Sequence, residues 1–172
     1  DTVGIWHELP EAPGIDDIHV ALAPLSETSA MIVYYGQSGL SWAILEGEKE
    51  WGVTVLQAVG EMDAGPVWAH RPFAMRSAPK SSLYRREVTE AAVAAVIEAL
   101  QSFARGEHPV AAAELGVAAR GRARPLCRQA DRAIDWNRDD TAAVIRKIHS
   151  ADGNPGLRDE ILGRPVRLFG AH

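Results

Sequence analysis

From residue 40 onward, the spacing of apolar positions alternates between helical and strand-like periods. Leu40 to Leu45 suits a short helix packed by Trp42 and Leu45, and Gly47 to Glu50 is a polar break after it. Trp51 to Ala58 is β-branched and apolar enough to predict a buried strand. The next segment, Gly60-Glu61-Met62-Asp63-Ala64-Gly65, reads as a loop whose glycines let backbone amides approach a ligand without a Cβ in the way. Pro66 opens a second extended segment, Val67 to Met75, and Ser81 to Arg105 reads as one long helix. Ala92, Val96, Ala99, Leu100 and Phe103 are the expected buried stripe of that helix, and Arg105-Gly106 ends it with a basic last turn and a C-terminal glycine.

Ala111 to Arg124 shows no clear period and is bracketed by Gly106, Pro109 and Pro125, which reads as a linker and places a domain boundary there. Beyond it come Ile134-Asp135-Trp136, a polar turn, and a helix from about Asp140 to Ser150 with Ala143, Val144 and Ile148 on one face and Asp139 or Asp140 as its cap. Gly153-Asn154-Pro155-Gly156 is a turn, and Arg164 to Phe169 is strand-like.

Charge sharpens this division. Residues 1–119 hold 7 Lys+Arg against 16 Asp+Glu, a net of -9, whereas residues 120–172 hold 11 against 7, a net of +4. The 172 residues, 47% hydrophobic and 24% charged, are enough for one or two small domains with real cores. One cysteine, Cys127, excludes an internal disulfide framework, fits a reducing compartment, and reads as a buried structural thiol. No apolar run reaches membrane-spanning length, and no signal-peptide pattern precedes Trp6, so a cytoplasmic protein without membrane contact is expected.

Little of the chain offers candidate chemistry. His7, His19, His70, His108, His149 and His172 are scattered, with no pair at helix spacing and no cysteine cluster, so no metal site is expected. Trp42, Trp51 and Trp68 read as core fillers. The exception is the loop before Pro66, which presents Asp63 between two strands. From spacing alone, Asp63 either closes a glycine turn or does proton chemistry.

The run LSWAILEGEKEWGVTVLQAVGEMDAGPVWA resembles the catalytic core of the 10-formyltetrahydrofolate-using formyltransferases, in which a WAIL-type helix, a GVT strand and an acidic loop follow in this order. GEKEWGVTVLQA, EMDAG, KSSLYRREVTEAAVAAV, RPLCRQADRAIDW and ADGNPG narrow the resemblance to the hydrogenase maturation factors of the HypX/HoxX type. That resemblance covers roughly residues 36–172. It implies an α/β fold: the C-terminal part of a Rossmann-like formyltransferase core, followed by the start of a small β-rich C-terminal domain. The expected organisation is an atypical N-terminal segment at 1–35, the core at 36–105, the linker at 106–124 and the partial C-terminal domain at 125–172. Members of this family fuse a formyltransferase half to an enoyl-CoA hydratase-like half, and the latter is expected to be absent here.

The resemblance makes Asp63 the catalytic carboxylate, and it implies that backbone groups of Val55, Gln57, Val59, Gly60, Met62 and Gly65 hold the pterin. It also implies an Asn-x-His-Pro signature ahead of the WAIL helix. The nearest counterpart, Asp17-Ile18-His19-Val20, keeps only the histidine, so His19 stands between a catalytic partner of Asp63 and an ordinary loop histidine. The basic run Arg120, Arg122, Arg124, Arg128 and Arg132 reads first as a solvated linker face, second as a site for the phosphates of coenzyme A, and third as an RNA patch. An overall acidic chain with pI near 5.7 argues against nucleic acid. The implied function is formyl transfer from 10-formyltetrahydrofolate, most simply to coenzyme A on the way to the carbon monoxide ligand of nickel-iron hydrogenase. The alternatives are a non-catalytic folate-binding or interaction remnant, and an enzyme like methionyl-tRNA formyltransferase.

Overall fold

A computed structural model describes residues 20–22, 31–34, 38–59, 65–115, 124–151 and 155–172. Of the residues singled out above, Trp6, His7, Asp17, Ile18, His19, Gly60, Glu61, Met62, Asp63, Ala64, Arg120, Arg122, Gly153 and Asn154 lie outside these. The described residues form an α/β chain that divides into two compact units.

The first unit gathers residues 20–22, 31–34, 52–73 and 88–115 of those described. Its sheet has the order β1-β2-β3-β4, from β1 (Val20–Leu22), β2 (Met31–Tyr34), β3 (Glu50–Gln57) and β4 (Val67–Ala74). β1 and β2 were not expected, because strands of three and four residues give too short a run for alternation to be read. Val20 pairs with Val33 and Val33 with Val55, while Leu22 pairs with Met31 and Met31 with Gln57, all antiparallel. Two neighbours flank β3, and Val53 and Val55 are fully buried with Leu56 nearly so. That accounts for its continuous apolar run.

The expected long helix is present as three continuous pieces: α2 (Lys80–Leu83), a π-helical turn at Tyr84–Val88, and α3 (Thr89–Ala104). Its buried positions are Lys80, Leu83, Val88, Ala91, Ala95 and Ala99, so of the expected stripe only Ala99 is buried. Leu100 is exposed, as are Val93 and Ile97. Within α3 alanines and valines fall on several sides, so its periodicity does not define one face. The observed face is the one where alanines bring the backbone close, and the wide π turn resets its phase. Gly106, at φ +73, then closes the helix, with its N–H donating to Phe103 O at 3.0 Å. Val110 pairs with Val67 in an isolated antiparallel bridge.

The second unit gathers residues 38–51, 74–87 and 124–172 of those described. α1 (Gly39–Glu46) packs against α2 and against α4 (Thr141–His149). It buries Leu40, Ser41, Ala43 and Ile44 rather than the expected Trp42 and Leu45, which flank the face half-buried. Gly47 at φ +69 ends α1, and a Cβ there would meet the Arg146 side chain at 3.5 Å. Hydrogen bonds join the elements: Ser41 Oγ donates to Ser150 O at 3.1 Å in a buried bond, and His149 Nε2 lies 2.8 Å from Ala171 O. Asp140 caps α4 as expected, accepting from Ala143 N at 2.7 Å. β5 (Leu157–Ile161) and β6 (Arg164–Leu168) make an antiparallel hairpin with Leu157 fully buried. β6 was expected, but β5 was not, because Arg158, Asp159 and Glu160 mask its alternation. Cys127 is buried, in keeping with a structural thiol.

Candidate functional site

The neck of the β3–β4 connection is the part of the expected site that lies among the described residues. Gln57, the last residue of β3, donates its N–H to Pro66 O at 2.8 Å. Val67 N donates to Val110 O at 2.7 Å, and Val110 N donates back to Val67 O at 3.0 Å, so the start of β4 is held on its other side too. Gly65 is required by contact: a Cβ placed there would lie 1.7 Å from the carbonyl oxygen of Gln57. Only glycine therefore fits at position 65, beside the end of β3.

Side chains tighten the same neck. Gln57 Oε1 accepts a hydrogen bond from Trp68 Nε1 at 2.8 Å, and the Trp68 ring meets Phe103 of α3 edge-on, with centroids 5.7 Å apart and planes at 64°. Sequence reading put Trp68 in a core. The structure makes it half-buried and polar-bonded. A glutamine and a tryptophan flanking one loop were the available signal. Further along the hairpin, Thr54 Oγ1 and His70 Nδ1 are 3.0 Å apart, which gives His70 an ordinary polar partner.

The expected pterin-contacting residues thus fall into separate places. Gln57 and Gly65 meet at the neck, Val55 lies inside β3 with its side chain fully buried, and Val59 is 49% exposed. Gly60, Met62, Asp63 and His19 lie outside the described residues. Val20, which follows His19 in the chain, occupies the row of Val33 and Val55 on β1, two strands from β3. Among the described residues no group of three His, Cys, Asp or Glu is placed to hold a metal ion, and no helix is long and apolar enough to cross a membrane.

The arginine run has structural employment in the second unit. Arg124 pairs with Glu46 and lies over the Trp42 ring, 5.6 Å from its centroid, while Trp42 Nε1 donates to Pro125 O at 2.7 Å. Arg132 donates to Ser41 Oγ at 3.3 Å, and its buried Nε has no hydrogen-bond acceptor. Arg128 contributes its backbone N–H to Asp131 Oδ2 at 2.6 Å. Arg124 and Arg132 therefore brace the start of the 124–172 stretch against α1.

No family model matches the chain. Methionyl-tRNA formyltransferase of Thermotoga neapolitana is 30% identical over 158 residues, which are 92% of this chain and 47% of that protein. The helix, the strand pair and its glycine-closed neck thus occur in a sequence of formyltransferase class. The hydrogenase maturation factor HoxX of Bradyrhizobium diazoefficiens is 54% identical over 140 residues, 80% of this chain and 24% of that one. HypX from Aquifex aeolicus, solved in complex with tetrahydrofolic acid, superposes with a TM-score of 0.70 at 42% identity over 81% of this chain and 25% of that one. The chain belongs to the formyltransferase family, in its branch of hydrogenase maturation factors of the HypX/HoxX type. It spans about a quarter of the HoxX and HypX chains and about half of the tRNA formyltransferase.

Proposed function

We propose that this chain takes part in formyl transfer from 10-formyltetrahydrofolate, with Asp63 as the proton-handling carboxylate and coenzyme A as the acceptor. The single observation that carries this reading is the neck itself. The sequence segment that carries Asp63 follows β3 and precedes β4 in a chain 42% identical to a HypX solved with tetrahydrofolic acid, and Gly65 closely approaches the Gln57 carbonyl. Residues 36–105 would be the formyltransferase-like core, 106–124 the linker and 125–172 the start of the C-terminal domain. The hydratase-like half that the resemblance implies, and a reducing compartment such as the cytoplasm, belong to the same reading.

The chemistry asked of Asp63 is modest. A thiol attacks the formyl carbon to give a tetrahedral oxyanion, the bond from that carbon to N10 breaks, sulfur keeps the formyl group, and N10 takes a proton. A carboxylate beside the thiol accepts its proton and returns it to N10, so the transfer balances without a redox partner. His19 is the proposed oxyanion donor. Loss of one such donor costs about two to three orders of magnitude in rate.

A second reading, folate binding without turnover, is favoured by the register of the sheet. β1, which begins one residue after His19, is two strands from β3, roughly 10 Å at ordinary strand spacing. Calorimetric titration with 5-formyltetrahydrofolate, beside Asp63→Ala, tests the main reading. One-to-one binding weakened by the substitution is the expected result and would justify a turnover assay with coenzyme A. No heat from a folded sample would reject the folate site.

A further inference from the structure

We propose that Trp68 is a positioning residue: it fixes which way round the Gln57 carboxamide is presented, so that Gln57 offers its N–H donors to an acceptor oxygen of the folate ligand. This rests on the formyl-folate reading above and adds to it a polarity and a second residue. A glutamine amide has an accepting end and a donating end, and nothing in its shape decides which faces a ligand. Here the neighbour decides. An indole N–H is a donor only, so the Gln57 atom 2.8 Å from Trp68 Nε1 must be the carbonyl oxygen. The amide nitrogen, with both its hydrogens, is therefore directed away from the indole.

The rest of Gln57 is held as well. Its backbone N–H is committed to Pro66 O at 2.8 Å, and its carbonyl is closely approached by Gly65. Trp68 cannot readily turn to follow a moving glutamine, because Phe103 meets its ring edge-on at 5.7 Å. A donor whose orientation is already set loses little freedom when a ligand arrives. The ligand group that such a donor recognises is an oxygen. A formyl-folate offers such oxygens on its pterin carbonyl, its formyl group, its benzoyl amide and its glutamate carboxylates.

The test uses this chain in calorimetric titrations with tetrahydrofolate and with 5-formyltetrahydrofolate, comparing wild type, Gln57→Glu and Trp68→Phe, each with a thermal melt. Gln57→Glu keeps the size and still accepts from Trp68, but replaces the amide donors with oxygen. Trp68→Phe keeps an aromatic ring against Phe103 and removes the donor. Expected are a loss of at least roughly tenfold in affinity for Gln57→Glu and a smaller loss for Trp68→Phe, with the Gln57→Glu melting temperature unchanged. An equal loss with both ligands assigns the donor to an oxygen the two ligands share, and a loss confined to the formylated ligand assigns it to the formyl oxygen. That ratio does not respond to a purely structural role. Wild-type affinity in Gln57→Glu would overturn the proposal and leave Gln57 as a brace for Trp68. Absence of binding in wild type would instead remove the folate reading itself.

Discussion

Single residues at the neck carry consequences that can be measured. Gly65 has no room for a Cβ, since the atom it would strike is the backbone oxygen of Gln57, which cannot swing aside. Gly65→Ala is expected to cost on the order of 3 kcal/mol and to lower the melting temperature clearly, whether or not the loop binds anything. Asp63→Ala carries the opposite expectation: unchanged melting with weakened folate binding, read by the same titration that tests the function. Together the two substitutions separate the frame of the loop from its chemistry. Leu162 gives a third residue-scale case. It has φ +52, is 97% exposed, and shares the β5–β6 turn with Gly163 at φ +73. Two positive φ values in a two-residue hairpin turn favour Asn-Gly, so Leu162→Asn should raise stability by roughly 0.5–1 kcal/mol, visible as a higher melting temperature.

At the scale of elements, the sequence was legible wherever one face of an element is clearly apolar or an end is marked by a cap. α1, β3, β4, α4 and β6 fall where spacing put them, and the ends of α1, α3 and α4 follow Gly47, Gly106 and Asp140. Asp140→Ala should cost about 1 kcal/mol, because its carboxylate accepts the Ala143 N–H that the helix leaves without a partner. A chemical or thermal denaturation curve checks this. The long helix shows where pattern fails. Its existence was plain, but Ala91 and Ala95 are buried where Ala92 and Val96 were expected to be, since a helix rich in Ala and Val has no strong polar side to orient it. The π turn at Tyr84–Val88 adds to this, as no periodicity reports a local change of helical pitch.

Across the whole molecule, the following ion pairs among the described residues each lie within one unit, and Arg124–Glu46 joins the basic and the acidic stretch of the sequence. Arg71–Glu98 and Arg105–Glu107 lie in the first, while Arg76–Glu87, Arg124–Glu46 and Lys147–Asp139 lie in the second. Hydrogen bonding from Arg105 holds the Glu107 carboxyl down at about 2, and hydrogen bonding from Lys147 holds Asp139 below its usual range. A depressed carboxyl adds stability above its ordinary value and loses it as the pH falls through the folded value. For Glu107 that window runs from about 4.5 down to about 2. The pair is exposed, so the effect is small and screened. Glu107→Gln should therefore be slightly less stable than wild type at neutral pH, equal to it near pH 2, and indistinguishable from it in about 1 M salt, as followed by denaturation at each condition.

The sequence by itself determined the family, the helix–strand–loop–strand unit around Asp63, the capped ends of the helices and the buried thiol, because these depend on residues close together in the chain. The tertiary structure decided which face of the long helix is buried, that Val20–Leu22 and Met31–Tyr34 extend the sheet beside β3, and that α1 and α2 belong with residues 124–172 in one compact unit. It also decided that Trp68 is half-buried and hydrogen-bonded to Gln57. Each of these depends on contacts between segments far apart in the chain. Local propensity carries no record of such contacts, and a short strand or an all-apolar helix takes its place only when a partner surface is present.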